Sequence, residues 1–139
     1  EEPELLAGGG ATQIALARFL RRHAETIPGR EQLAVEAFAD ALEVIPRVLA
    51  ENAGLDPLDT LLRVVAEQST STSKEAHCIG LDVIARGPAN MKEAGVVEPL
   101  RITRQVLAGA TEAALSVLRI DDVLWAKQDP TIPDGLDGE

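Results

Sequence analysis

Aromatic residues are almost missing from this sequence. It contains two Phe, one Trp and no Tyr among 139 residues, although 45% of its residues are hydrophobic. A core without large rings has to be filled by Leu, Val, Ile and Ala, which is typical of packed helices. The composition therefore predicts one mainly α-helical domain of ordinary size.

Cysteine and long apolar runs are also scarce. Cys78 is the single cysteine, so no internal disulfide can form, and we expect a reducing, cytoplasmic location. No run approaches the ~20 apolar residues that a membrane-spanning helix needs. From the first residues we expect no signal peptide. It begins Glu1-Glu2 without Met, from which we expect a trimmed or excised piece.

Basic residues are too few for a nucleic-acid surface. The chain has 13 Lys and Arg against 23 Asp and Glu, a formal net charge of −10. Neutralising phosphates requires grouped Lys and Arg, and anionic lipid attracts the same residues. We therefore expect neither a nucleic-acid nor a membrane partner, and interpret the charge as a soluble acidic surface.

The spacing of apolar residues predicts four helices, with a fifth if Pro46 divides the second. They run from the glycines Gly8–Gly10 to about Glu25, from about Arg30 to Ile45, from an Asp56 cap to about Gln68, and from Glu98 to about Arg119. Helical character resumes after Pro46, so the proline either ends the second helix or lies within a longer, kinked one. Its predicted buried face consists of Ala34, Ala37, Phe38, Ala41 and Ile45.

The remaining segments read as loops and short strands. Glu1–Ala7 is predicted to be a leader, and Ser69–Glu75 a polar loop. Residues 78–84 alternate in polarity, which predicts a short strand or hairpin that turns at Gly87-Pro88. We expect a final strand at 123–126. The domain should cover residues 1–127, followed by a disordered acidic tail at 128–139.

Three features can carry chemistry. Gly8-Gly9-Gly10 before a helix lets backbone amides approach an anion. The run lacks the Lys and Ser/Thr of a Walker loop, so the residues alone favour flexible capping over phosphate contact. Asp82 and Glu98 are carboxylates at element boundaries, suited to ribose hydroxyls or base edges. The alternatives are a solvent-facing Asp82 and a helix-capping Glu98. His23, His77 and Cys78 lack the spacing of a metal or catalytic set.

Five blocks in order carry a resemblance: GGGA at 8–11, GREQLAVEAFADALEVIP at 29–46, LAENAGLDP at 49–57, EPLR at 98–101 and LRIDD at 118–122. Over about Leu6 to Lys127 the chain resembles a group II chaperonin subunit of the thermosome type, in the C-terminal part of its equatorial ATP-binding domain. The sequence departs from the family at Gln13, where Glu is usual, and at Thr103, where Lys is common.

The resemblance implies half of an equatorial domain that binds ATP or ADP with Mg²⁺. It implies nucleotide contacts for Gly8, Gly9, Gly10, Gly80, Asp82 and Glu98. It also implies ring partners of the same family and unfolded proteins as substrates of domains not in this sequence. The family's phosphate loop and water-activating Asp are not in this sequence either, so we do not expect ATP hydrolysis from these residues alone. The alternative is a non-catalytic helical oligomerisation module.

Overall fold

A computed structural model describes residues 4–120, and the mainly helical prediction is confirmed. The helices are α1 (Ala11–Ala24), α2 (Glu31–Asn52), α3 (Pro57–Thr70) and α4 (Leu100–Leu118). The short strands are β1 (Leu5–Ala7), β2 (Ile79–Asp82), β3 (Gly87–Asn90) and β4 (Val97–Pro99). The chain divides into two compact units, Glu1–Arg104 and Gln105–Glu139. The expected strand at 123–126 and the expected tail lie outside the described residues.

The first strand corrects the expectation of a leader. Leu5–Ala7 pairs antiparallel with β4, with Leu6 opposite Glu98. A strand of three residues has no periodicity of its own, and its partner comes late in the chain. Only the folded structure can therefore reveal the pair.

The second pair of strands is the predicted hairpin, with its turn placed wrongly. Gly87 pairs with Asp82 as the first residue of β3, so the turn precedes Gly87-Pro88. Asp82 Oδ1 accepts hydrogen bonds from the amides of Ile84 (2.8 Å) and Ala85 (3.0 Å). These two hydrogen bonds to a side chain stabilise the turn at residues 83–86. The turn contains no glycine, whereas the prediction placed Gly87 in it.

Helix α2 continues through Pro46, which settles that alternative in favour of one longer helix. Its predicted buried face is wrong: Ala34, Ala37, Phe38, Ala41 and Ile45 are all exposed. The buried residues are Ala39, Leu42, Glu43, Pro46 and Ala50. Apolar residues of α2 lie on most of its faces, so periodicity predicts burial of the face with the most apolar residues. The face that is buried contains the charged Glu43, which counts against it in a prediction from the sequence.

Helix α3 begins as its sequence predicts. Asp56 Oδ1 accepts a hydrogen bond from the Asp59 amide at 2.7 Å, and Pro57 occupies the first helical position. An Asp cap and a first-turn proline both satisfy the requirements of a helix N-terminus. The helix ends at Thr70, close to the predicted Gln68.

The core of the first unit is made of small and aliphatic side chains. One cluster contains Ile14, Ala50, Leu61, Val64 and Leu81. A second joins Ala7, Ala11, Cys78 and Met91. Alanines allow the helices and strands to approach closely, as expected for a chain so poor in aromatic residues. Among residues 4–120, no helix is both long enough and apolar enough to cross a membrane.

Cys78 provides a chemical probe of the second cluster. It is 5% exposed, and burial raises the pKa of its thiol. Both effects suppress the thiolate that reacts with a disulfide reagent. We expect labelling of the native protein to be about 100-fold slower than labelling in denaturant, which corresponds to ~2.7 kcal/mol of protection against local opening. Absorbance measures the rate of labelling. Equal rates under native conditions and in denaturant would show that the second cluster is open.

Candidate functional site

The glycines at Gly8–Gly10, here called the glycine turn, lead directly from β1 into α1. Gly9 and Gly10 have φ angles of 62° and 75°, a left-handed conformation that favours glycine. Gly10 is the N-cap of α1 and makes no side-chain cap. The turn therefore places bare backbone at the positive end of a helix dipole.

Several backbone amides of the glycine turn and the first turn of α1 lack a hydrogen-bond acceptor among residues 4–120, and are called open in this sense. The Ala11 amide donates to Gly8 and the Ile14 amide to Gly10, whereas those of Gly9, Gly10, Thr12 and Gln13 have no acceptor within residues 4–120. Open amides at a helix N-terminus bind anions such as phosphate. These amides indicate an anion-binding site more specifically than the run of three glycines in the sequence does.

Gly80 packs directly on the glycine turn. The Leu81 amide donates to the Gly9 carbonyl at 2.8 Å. A Cβ atom on Gly80 would lie 2.8 Å from the Gly8 oxygen and 2.9 Å from the Gly9 oxygen. The structure thus brings together the four glycines predicted from the resemblance. The backbone of Gly80 lies so close to that of the glycine turn that no side chain would fit between them.

The glycine turn is held from two further directions. The Gly8 amide donates to the Val96 carbonyl at 2.9 Å. A Cβ atom on Gly10 would lie 2.6 Å from Cβ of Pro46 in α2. Contacts with the segment before β4, with β2 and with α2 therefore fix the conformation of the turn.

Gln68 supports the site and is not among the site residues predicted from the sequence. It is 2% exposed, and its Nε2 atom donates to the carbonyls of Ala11 (3.0 Å) and Ile79 (2.7 Å). Its Oε1 atom accepts a hydrogen bond from Arg18 at 3.4 Å. Gln68 thus ties α3 to the start of α1 and to β2. Its position on the buried stripe of Leu61 and Val64 was the available signal.

Asp82 lies at the end of β2 and is half-buried. Its Oδ1 atom is engaged by the two turn amides described above. The structure places it two residues after Gly80 on the same strand, with its carboxylate shaping the hairpin.

Glu98 lies on β4 and is half-buried. Gln13, in the first turn of α1, donates from Nε2 to Glu98 Oε1 at 3.4 Å. Among the described residues, the carboxylate accepts no hydrogen bond from an amide of α4, which argues against the capping alternative. The pairing of β1 with β4 and the Gln13 contact together bring Glu98 beside the start of α1.

An ion-pair cluster joins α1 to α2 away from these residues. Arg21 donates to Glu43 and, at 2.7 Å, to Asp40, while Arg47 lies 3.5 Å from Glu43. The hydrogen bond with the buried Glu43 raises the pKa of Arg21 above its usual range. The cluster accounts for the charged residue on the buried face of α2, so we assign it a packing role.

A groove of about 250 Å³ lies beside the end of α3 and the hairpin. Its lining includes Glu67, Ser71, Glu75 and Asn90, and none of the six predicted site residues. Glu75 accepts a hydrogen bond from Lys92 at 2.6 Å, which lowers the pKa of its carboxyl group. Within residues 4–120 there is no group of three or more His, Cys, Asp or Glu that can hold a metal ion.

Comparison with known proteins supplies the family. The profile of the TCP-1/cpn60 chaperonin family matches residues 1–128. A thermosome subunit of Methanocaldococcus jannaschii is 53% identical over 92% of this chain and 23% of its own length. One from Pyrococcus horikoshii is 49% identical over the same shares of the two chains.

A solved chaperonin structure is also similar to this chain. The open-state monomer of a group II chaperonin from Methanococcoides burtonii is similar with a TM-score of 0.78 and 43% identity, over 84% of this chain and 28% of that chain. The present chain spans about a quarter of the length of the curated relatives it matches. With the family profile matching nearly the whole sequence, this chain belongs to the TCP-1/cpn60 chaperonin family.

Proposed function

We propose that this chain is the C-terminal part of a chaperonin equatorial domain and supplies half of a nucleotide site in an ATP-dependent protein-folding ring. The observation that carries the proposal is the set of open amides at the glycine turn, with Gly80 packed against it and Glu98 held beside α1. The boundaries that we propose for this part are residues 1–127.

Each proposed contact uses a different chemistry. The amides of Gly9 and Gly10 donate to phosphate oxygens at the helix N-terminus. Glu98 accepts hydrogen bonds from ribose hydroxyls. The backbone around Gly80 and the carboxylate of Asp82 lie along the adenine. The described residues contain no group of three or more side chains that could hold Mg²⁺, so we assign the metal to other parts of a complete site.

A nuclear magnetic resonance titration with Mg-ATP tests this proposal. We expect the amide resonances of Gly9, Gly10 and Thr12 to shift most, because phosphate contacts act directly on these groups. Gly29 and Gly54, which also have positive φ angles, serve as internal controls and should not move. A folded protein whose glycine-turn resonances remain fixed would contradict nucleotide binding by this half-site.

Glu98→Gln tests the ribose contact in the same experiment. The substitution keeps the shape of the side chain and removes its charge, so we expect ATP affinity to fall about tenfold, as for loss of a hydrogen bond to a charged group. Glu93→Gln, on the exposed turn after β3, is the matched control. Equal affinities for all three proteins would exclude Glu98 as a contact.

An oligomerisation module is the second candidate, and one observation favours it. Large apolar side chains are exposed on all four helices, among them Phe19 (58%), Leu33 (65%), Phe38 (41%), Leu58 (58%) and Ile102 (56%). Surfaces of this kind mark protein–protein contacts. We propose other chaperonin subunits as the partners. Sedimentation that shows association together with fixed glycine-turn resonances would favour this candidate over nucleotide binding.

A further inference from the structure

Gln13 is the third residue of α1, yet it does not cap its own helix. At this position a Gln or Glu side chain often turns back to accept a hydrogen bond from the N-cap amide. Here the N-cap is Gly10, and Gln13 Oε1 is buried without a hydrogen-bond partner among residues 4–120. The Nε2 atom instead reaches Glu98 Oε1 at 3.4 Å. The Gly10 amide is left open as a result.

The direction of the Gln13 amide follows from chemistry. An ionised carboxylate only accepts hydrogen bonds, so the NH₂ group of Gln13 has to face Glu98. Its oxygen then remains buried without compensation, which is unfavourable for folding. Gln13 is only 6% exposed. A buried polar side chain that leaves its oxygen without a hydrogen bond while contacting a proposed ligand-binding carboxylate fits a functional role better than a packing role.

We propose that Gln13 is a positioning residue for the Glu98 carboxylate. The β1–β4 pairing fixes the Glu98 backbone opposite Leu6, but a half-buried Glu side chain retains several rotamers. The Gln13 hydrogen bond selects one of them. This inference rests on the proposed function, in which Glu98 receives the ribose hydroxyls.

The neutrality of Gln13 suits this role. An amide donor occupies Glu98 Oε1 without neutralising the carboxylate, because it adds no positive charge. The second carboxylate oxygen stays available to accept a ribose hydroxyl. In this chain, which has Thr103 where Lys is common in the family, a Glu at position 13 would offer no donor and would repel Glu98.

The test compares Gln13→Leu with Thr103→Val. Thr103 is a matched control because it is also buried (7% exposed), and its hydroxyl oxygen also lacks a partner among residues 4–120. Without nucleotide, the three-bond couplings of the Glu98 side chain report its rotamers. With nucleotide, affinities for ATP and 2′,3′-dideoxy-ATP report use of the ribose hydroxyls.

In Gln13→Leu we expect an unchanged or higher thermal midpoint, averaged Glu98 couplings and ATP affinity about tenfold weaker. Discrimination between ATP and dideoxy-ATP should fall towards one. Gln13→Glu should lose the same discrimination, since it keeps the shape but not the donor. Thr103→Val should leave the Glu98 couplings and the discrimination as in the original protein.

Unchanged Glu98 couplings in Gln13→Leu would overturn the inference, even if ATP binds normally. So would a lower thermal midpoint with unchanged discrimination, because Gln13 would then act in packing alone. Averaged couplings in a protein whose original form binds no nucleotide would leave the positioning role in place and refute the proposed function instead. The two failures are therefore distinguishable.

Discussion

Gly10→Ala is expected to destabilise the protein by about 3 kcal/mol and to lower its melting temperature by roughly 10 °C. Two effects add at this position. The φ angle of 75° strains any residue with a Cβ atom, and that atom would lie 2.6 Å from Cβ of Pro46. Since Pro46 is buried within α2, α1 and α2 have to separate to accept it.

Gly29→Ala separates these two effects. Gly29 has a φ angle of 79° but nothing within 4 Å of its would-be Cβ atom. It therefore suffers the backbone strain alone, about 1 kcal/mol. Thermal unfolding of both variants measures the difference. Equal losses would mean that the approach of the glycine turn to α2 contributes nothing to stability.

Gly80→Ala is expected to cost about 2–4 kcal/mol for a different reason. Its φ angle is not in the left-handed region, so crowding alone acts. The added Cβ atom would meet Met91 Cγ as well as the oxygens of Gly8 and Gly9, all within 2.9 Å. The hairpin has to move away from the glycine turn, which breaks the bond from the Leu81 amide to Gly9.

Gly87→Ala in the same hairpin is the control for this crowding. There the nearest atom to an added Cβ is Arg63 Nη2 at 3.3 Å, the end of a flexible side chain. We expect a loss below about 1 kcal/mol. Chemical denaturation of the two variants provides the comparison. A Gly87 variant as unstable as the Gly80 variant would indicate general intolerance of the hairpin rather than its contact with the glycine turn.

The nucleotide contacts of the six site residues stay predictions, and the structure shows only how these residues are arranged. The glycines came from the resemblance and from their position before a helix, and the structure packs Gly80 against the glycine turn. Gln68 and Gln13 were not predicted as site residues, because a glutamine on a helix carries no signal of the group it contacts. Their partners lie on β2 and β4, at distances along the sequence that no local pattern spans.

The sequence by itself determined where helices α1 and α3 begin and which kinds of side chain fill the core. The Asp56-Pro57 start of α3, the glycines before α1 and the poverty in aromatic residues dictate where helices begin and what fills their core. These signals act within a few residues. Only the tertiary structure decided which face of α2 is buried, that Leu5–Ala7 pairs with β4, and that Gln13 reaches Glu98. Those choices depend on contacts between distant segments, where the close packing of backbone and small side chains outweighs the local count of apolar residues.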